Sequence, residues 1–189
     1  VMTVTAAYTD QLSTGESVTS SATSSVANVN DTGSVTVSGT ATQGQALSAS
    51  VSDLDGTSGV SIGYQWKRGG SAISGATGSS YTLVQADVGS AITVTAAYTD
   101  QLSTVESVTS SATSSVANVN DTGSVAVSGT ATQGQSLSAS VSDVDGISGV
   151  TITYQWKRDD TAIDGATSSS YTLTQADVGT AVSYSHLTL

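Results

Sequence analysis

The stretch "YQWKRGGSAISGATGSSYTLVQADVG", Tyr64 to Gly89, decides how this chain is to be read. It opens with a tryptophan between polar neighbours, the pattern of a strand whose alternate side chains point to opposite faces. Trp66 then points inward, and Lys67 or Arg68 lies at the surface. "RGG" supplies a tight reversal, because two adjacent glycines accept the positive φ that a short hairpin turn demands. "SAISGA" and "SSYTLVQ" follow as further short strands, divided by "GATG" and closed by "ADVG". Nothing in the stretch carries the apolar spacing of a helix of ten residues or more.

Working outward, the same pattern continues on both sides. "SVTVSGTA" (residues 34–41) alternates valine with small polar residues, and "ALSASVSD" (residues 46–53) places Leu47, Ala49 and Val51 on one face. "VSIGYQWKR" (60–68), "SAISGA" (71–76), "SSYTLVQ" (79–85), "AITVTAAYTD" (91–100) and "ESVTSSATSSVANV" (106–119) complete a set of about seven strands. Turn chemistry at "TQGQ", "DLDG", "RGG", "GATG", "ADVG" and "DQLS" separates them. Short strands punctuated every ten or so residues predict an all-β antiparallel sandwich of two sheets.

The unit then recurs. "TVTAAYTDQLST" begins at Thr3 and Thr93, "VSGTATQGQ" at Val37 and Val127, "YQWKR" at Tyr64 and Tyr154, and "QADVG" at Gln85 and Gln175. Each pair is one 90-residue period apart, too long for a solenoid turn and the size of a small domain. The chain therefore reads as a tandem array cut out of phase. Residues 1–28 carry the C-terminal strands of a preceding repeat, residues 29–118 a complete repeat, and residues 119–189 a truncated one. The repeat text is lost after about Ser183, where "GTAVSYSHLTL" replaces the expected "GSAITVTAAYTD"; the sole histidine, His186, falls in this aberrant tail. An N-terminal segment that duplicates the strands missing from the last repeat predicts strand complementation between molecules, alongside packing between neighbouring repeats of one chain.

Composition narrows the function. The chain has 189 residues, no cysteine, no proline and a formal net charge of −11, with Lys67, Arg68, Lys157 and Arg158 its only Lys or Arg residues. That leaves no basic surface for phosphates, so nucleic-acid binding is not expected. No run approaches the ~18 apolar residues of a membrane-spanning helix. The intact repeat contains no histidine, which removes a Ser-His-Asp triad, and wholesale duplication gives no reason for one special acid pair; no enzyme activity is expected. A core of Val, Leu, Ile, Ala, Tyr and one Trp per repeat, without a disulfide, is thin. Neighbouring repeats or bound cations are the natural sources of added stability.

The candidate cation ligands are acidic. "DLDG" (residues 53–56) and "DVDG" (residues 143–146) each place two carboxylates on a glycine turn: Asp53 with Asp55, and Asp143 with Asp145. Calcium takes six to eight oxygens, so a pair is not a site. Asn30 and Asp31 of "NVNDTG", their counterparts Asn120 and Asp121, and Asp100 with Glu106 from the last hairpin are the available supplements. The EF-hand spacing is absent. The competing reading is that these aspartates are solvated turn formers, which their side-chain hydrogen bonding suits equally. "NDT" at Asn30 and Asn120 also matches the N-glycosylation pattern.

The Tyr64–Gly89 stretch resembles the C-strand tryptophan, C–C′ turn, E strand and E–F corner of an immunoglobulin-like domain, with Asp87, Val88 and Gly89 at the corner. The whole unit, from "VNDTGSVTVSGTATQGQALSASVSDLDG" through "AITVTAAYTDQLSTVES", is similar to the tandem repeats of very large bacterial surface and secreted adhesins of the RTX type, and "VNDTG" looks like a reduced cadherin-type calcium linker. The resemblance implies an extracellular or cell-surface location and a structural spacer or stalk with calcium as a candidate stiffener. The alternative is a glycan- or protein-binding module. The antibody-type disulfide between the sheets is absent; Leu47, Ala49 and Val51 are expected to face Ile92 and Val94 in its place.

Overall fold

The computed structural model describes residues 1–186, and side-chain environments through Tyr184. The described residues are all-β apart from two short 3-10 turns, with every strand pairing antiparallel. Residues 187–189, the end of the expected aberrant tail, lie outside them. Contacts divide the chain into two units: Val1–Leu83 with Gly89–Val116, and Val84–Val88 with Ala117–Leu189.

The first strands, β1 (Thr5–Thr9) and β2 (Gly15–Thr19), form a two-stranded hairpin with every residue exposed. The first full repeat follows with β3 (Ser34–Ser38), β4 (Ala46–Ser52), β5 (Gly63–Arg68), β6 (Ser71–Ala72), β7 (Ser80–Thr82), β8 (Ile92–Thr99) and β9 (Val105–Thr109). Strands β3-β4-β7 make one sheet and β6-β5-β8-β9 the other. These seven strands in two sheets are the sandwich expected from the sequence, with the A-B-E and C′-C-F-G pairings of the immunoglobulin type.

Burial follows the two-residue period. Along β8, Ile92, Val94, Ala96 and Tyr98 are buried, while Thr93 and Thr95 are only half-buried and Ala97 and Thr99 exposed. Trp66 is fully buried, its indole N–H donates to the Gly78 carbonyl at 2.9 Å, and its ring centroid lies 5.9 Å from that of Tyr81. The polar end of the ring is therefore satisfied, as burial requires. Leu47, Ile92 and Val94 are fully buried across the sheets, but Ala49 and Val51 are half-buried, so β4 contributes a narrower core than its sequence pattern implies.

Two strand boundaries differ from expectation. The strand expected from residue 60 begins at Gly63, because Gly56 (φ +95°), Gly59 (φ +73°) and the Val60 N–H bond to the Thr57 carbonyl hold residues 56–60 in turns. The long last strand expected over residues 106–119 is regular only to Thr109. Beyond it the chain stays alongside β8 by spaced contacts: the Ser110, Thr113 and Val116 N–H groups donate to the carbonyls of Val94, Ile92 and Ser90. In return the Val94 and Ile92 N–H groups donate to the hydroxyls of Ser110 and Thr113 rather than to carbonyls. Side chains substituting for backbone acceptors break the regular ladder.

The second repeat has β10 (Ser124–Ser128), β11 (Ser136–Ser142), β12 (Tyr154–Arg158), β13 (Thr161–Ala162), β14 (Ser170–Thr172) and β15 (Val182–His186), in sheets β10-β11-β14 and β13-β12-β15. Its core gathers Leu137, Ala139, Trp156 and Leu173. The hairpin tip that is Gly69–Gly70 in the first repeat is Asp159–Asp160 here, with both aspartates at positive φ (43° and 65°), a conformation that Asp tolerates better than most residues. The backbone pairing of β15 with β12 continues to His186 although the repeat text has changed, because ladder hydrogen bonds involve only main-chain groups.

Candidate metal centre at the base of the first repeat

Three segments distant in sequence meet at one end of the first repeat. They are the linker ahead of β3, the "DLDG" loop after β4, and the loop joining β8 to β9. Gln101 fastens the last two together: its N–H donates to the Gly56 carbonyl at 3.1 Å, and its side-chain amide donates to the Ser58 carbonyl at 2.7 Å.

Carboxylate oxygens of Asp53, Asp100 and Glu106 all lie within 4.8 Å of one another. Asp100 and Glu106 are buried and Asp53 is half-buried. Their hydrogen bonds show which oxygens are committed. On Asp53, Oδ1 accepts from the Asp55 N–H at 2.8 Å, and Oδ2 accepts from the Tyr98 hydroxyl at 2.8 Å. Glu106 Oε1 accepts from the Asn30 side-chain amide at 2.8 Å. Asp100 Oδ1 accepts from the N–H groups of Leu102 and Thr104, each at 2.8 Å, which makes the aspartate the organiser of its own turn. Asp100 Oδ2 is buried and has no hydrogen-bond partner.

An unsatisfied carboxylate oxygen in the interior is costly, and here it belongs to a residue clustered with two further acidic groups. The Tyr98 phenol records the same field. Its pKa is raised above the usual tyrosine value by burial first, then by its hydrogen bond to Asp53 and the negative charges of Asp53, Glu106 and Asp100. Tight packing fixes the ring: a Cβ on Gly33 would overlap the Tyr98 hydroxyl and stand 2.8 Å from Asp53 Oδ2.

The sequence candidates divide between roles. Asp53 belongs to the cluster. Asp55, its partner in the "DLDG" pair, faces the linker instead: its Oδ2 accepts from the Asp31 N–H at 2.9 Å and from the Asn28 amide at 3.3 Å. Asp31 thus contributes its backbone N–H to Asp55, and Asn30 its amide to Glu106. Asp100 and Glu106, which the sequence offers only as supplements, provide two of the three clustered carboxylates. Tyr98 and Asn28 are contributions that sequence reading missed; the recurrence of "AAYTD" with its tyrosine two residues before the aspartate was the available signal.

In the second repeat the turn is rebuilt the same way. The Asp145 N–H donates to Asp143 Oδ1 at 2.8 Å, and Asp145 Oδ2 accepts from the Asp121 N–H at 3.0 Å. Asp145 Oδ1 is buried without a partner, and Asn120 is exposed. Tyr98, Asp100 and Glu106 have no counterparts among the described residues of this repeat, so it brings no carboxylate triplet together there.

Hard oxygen donors, with neither sulfur nor imidazole among them, suit calcium or magnesium rather than a softer metal. Asp53, Asp100 and Glu106 would hold such an ion, and a buried carboxylate oxygen without a hydrogen-bond partner on Asp100 fits a residue that binds one. Among the described residues no helix is long and apolar enough to cross a membrane.

No protein-family model matches the chain, and no curated protein matches it. Among solved structures, the chain is similar to one described as a Ca2+-stabilized adhesin that helps an Antarctic bacterium reach out and bind ice, at 14% identity and a TM-score of 0.35, covering 97% of this chain and, at 54%, about half the length of that one.

Proposed function

We propose that the chain is part of a structural spacer in an extracellular or surface-attached bacterial protein of the adhesin type, and that calcium braces each complete repeat at its base. The observation that carries the cation reading is that Asp100, whose Oδ2 is buried and unpartnered, clusters with Asp53 and Glu106, one carboxylate oxygen of each lying within 4.8 Å of the others. A divalent ion there would draw on the β4–β5 loop and both arms of the β8–β9 hairpin. Through Asn30 it would also steady the linker that enters the repeat, because that amide is already bonded to Glu106. Stiffening where the chain enters each repeat is what a stalk requires. Near-identical copies suit a role that needs length more than varied surfaces.

Calcium titration of the thermal unfolding of the chain, with magnesium in parallel, tests the reading. A ligand bound only by the folded state raises the melting temperature with its concentration. A rise with calcium that exceeds the rise with magnesium is expected; no rise at millimolar calcium would leave the aspartates as turn formers.

A further inference from the structure

We propose that Tyr98 is the positioning residue of the cation site, a strut whose hydroxyl holds Asp53 against the carboxylates of the β8–β9 hairpin. This rests on the cation reading and adds to it the residue that assembles the ligands. Main-chain pairing accounts for two of the three carboxylates. The β8–β9 ladder sets Tyr98 directly opposite Glu106, and the Asp100 N–H bond to the Thr104 carbonyl closes the turn between the two strands. Asp53 is not placed by that ladder. It follows β4, which lies in the β3-β4-β7 sheet, whereas β8 and β9 lie in the other. Clustered carboxylates of like charge repel, and the one carried by the separate sheet is the one that repulsion would drive away.

Tyr98 crosses from one sheet to the other. Its ring ends the buried face of β8, and its hydroxyl donates to Asp53 Oδ2 at 2.8 Å. The other bonds near Asp53 do a different job. Gln101 reaches the same loop, but at the carbonyls of Gly56 and Ser58, beyond the aspartate. The Asp55 N–H holds Asp53 Oδ1 at 2.8 Å, but from within the same turn, so it sets the rotation of the carboxylate and not its distance from the hairpin. Gly33 closes over the strut: a Cβ there would overlap the Tyr98 hydroxyl and stand 2.8 Å from Asp53 Oδ2. Burial first, and then the Asp53 bond and the neighbouring negative charges, keep the proton on the phenol, so at neutral pH the hydroxyl remains a donor. A carboxylate oxygen has two lone pairs, so Asp53 can accept from Tyr98 and still face an ion. Partners that orient a metal ligand in this way are worth about ten- to a hundredfold in affinity.

Isothermal titration of the full chain with calcium chloride tests this, with Tyr98→Phe and, as a control, Tyr64→Phe at a half-buried tyrosine of β5. Titrations run well below the melting temperature of each form, so that lost affinity is not lost folding. Tyr98→Phe keeps the ring and should weaken calcium binding by about ten- to a hundredfold, while Tyr64→Phe should bind as wild type does. Ultraviolet difference spectra add a readout that stability does not move. Calcium should perturb a tyrosine band in wild type and in Tyr64→Phe, because the ion changes the charge beside the Tyr98 hydroxyl, and that band should be missing from Tyr98→Phe at saturating calcium. A wild type that binds no calcium would overturn the cation reading and the strut with it. A wild type that binds calcium without perturbing any tyrosine, a Tyr98→Phe variant of wild-type affinity, or an equal loss in Tyr64→Phe would each overturn the strut alone and leave the cation reading standing.

Discussion

Replacing Asp100 by Asn separates a metal centre from an incidental cluster, because the two readings give opposite signs. In the wild type, Asp100 clusters with Asp53 and Glu106, and its Oδ2 is buried with no partner. Two like charges near 4.8 Å repel by about 3 kcal/mol at an effective dielectric of about 20. Side-chain adjustment and salt lower the net cost of the cluster without a cation to about 1–2 kcal/mol. Asn keeps an oxygen for the Leu102 and Thr104 N–H groups and turns an NH2 group toward the other carboxylates. Without calcium the variant should therefore melt higher than wild type, by roughly 4–8 °C per kcal/mol for a domain of this size. With calcium the order should reverse, because the variant has lost one anionic ligand while wild type gains the binding energy. Scanning calorimetry with chelator and then with calcium reads both arms. A variant that melts lower in chelator and still gains the full calcium shift would refute the reasoning.

Other expectations follow from the packing. Gly33→Ala should destabilise the first repeat by about 1–3 kcal/mol and weaken its calcium response, since the added methyl displaces the Tyr98 hydroxyl from Asp53; denaturant unfolding with and without calcium measures both. The second repeat should soften in acid through Asp177. Burial works to raise this carboxyl's pKa, but bonds from the Thr174 N–H and hydroxyl, Arg158 and the Tyr171 hydroxyl outweigh it and hold the value at about 2, below the ordinary 3.8. A depressed folded value means stability that is present above the unfolded pKa and lost as pH falls from about 4 through 2. With allowance for solvent around the partly exposed Arg158, the contribution is on the order of 1 kcal/mol. Asp177→Asn should flatten that part of the stability curve measured by urea unfolding at successive pH values, and an unchanged acid limb would refute it.

Legibility tracked how local each feature is. Trp66 was readable as a core residue because alternation and turn residues within a few positions set the face of β5. The irregular path after Thr109 was not, because Ser110 and Thr113 look like ordinary strand residues until their hydroxyls are seen accepting from Val94 and Ile92. The candidate site was half legible. Asp53 and Asp55 stand out as a pair on a glycine turn, yet the structure separates their roles: one faces the β8–β9 hairpin and the other the linker.

The sequence by itself determined the all-β class, the 90-residue period, the strand and turn order and the absence of a disulfide. These depend on alternation, turn chemistry and composition, all carried by neighbouring residues. Only the tertiary structure decided which carboxylates share a site. Asn30 meets Glu106 across 76 residues of chain, and Tyr98 meets Asp53 across 45. Such meetings follow from the pairing of β5 with β8 and of β8 with β9 and from the packing of one sheet on the other. Period-two patterning specifies that each strand has a buried face; the register and stacking of the folded sandwich specify which loops that burial brings together.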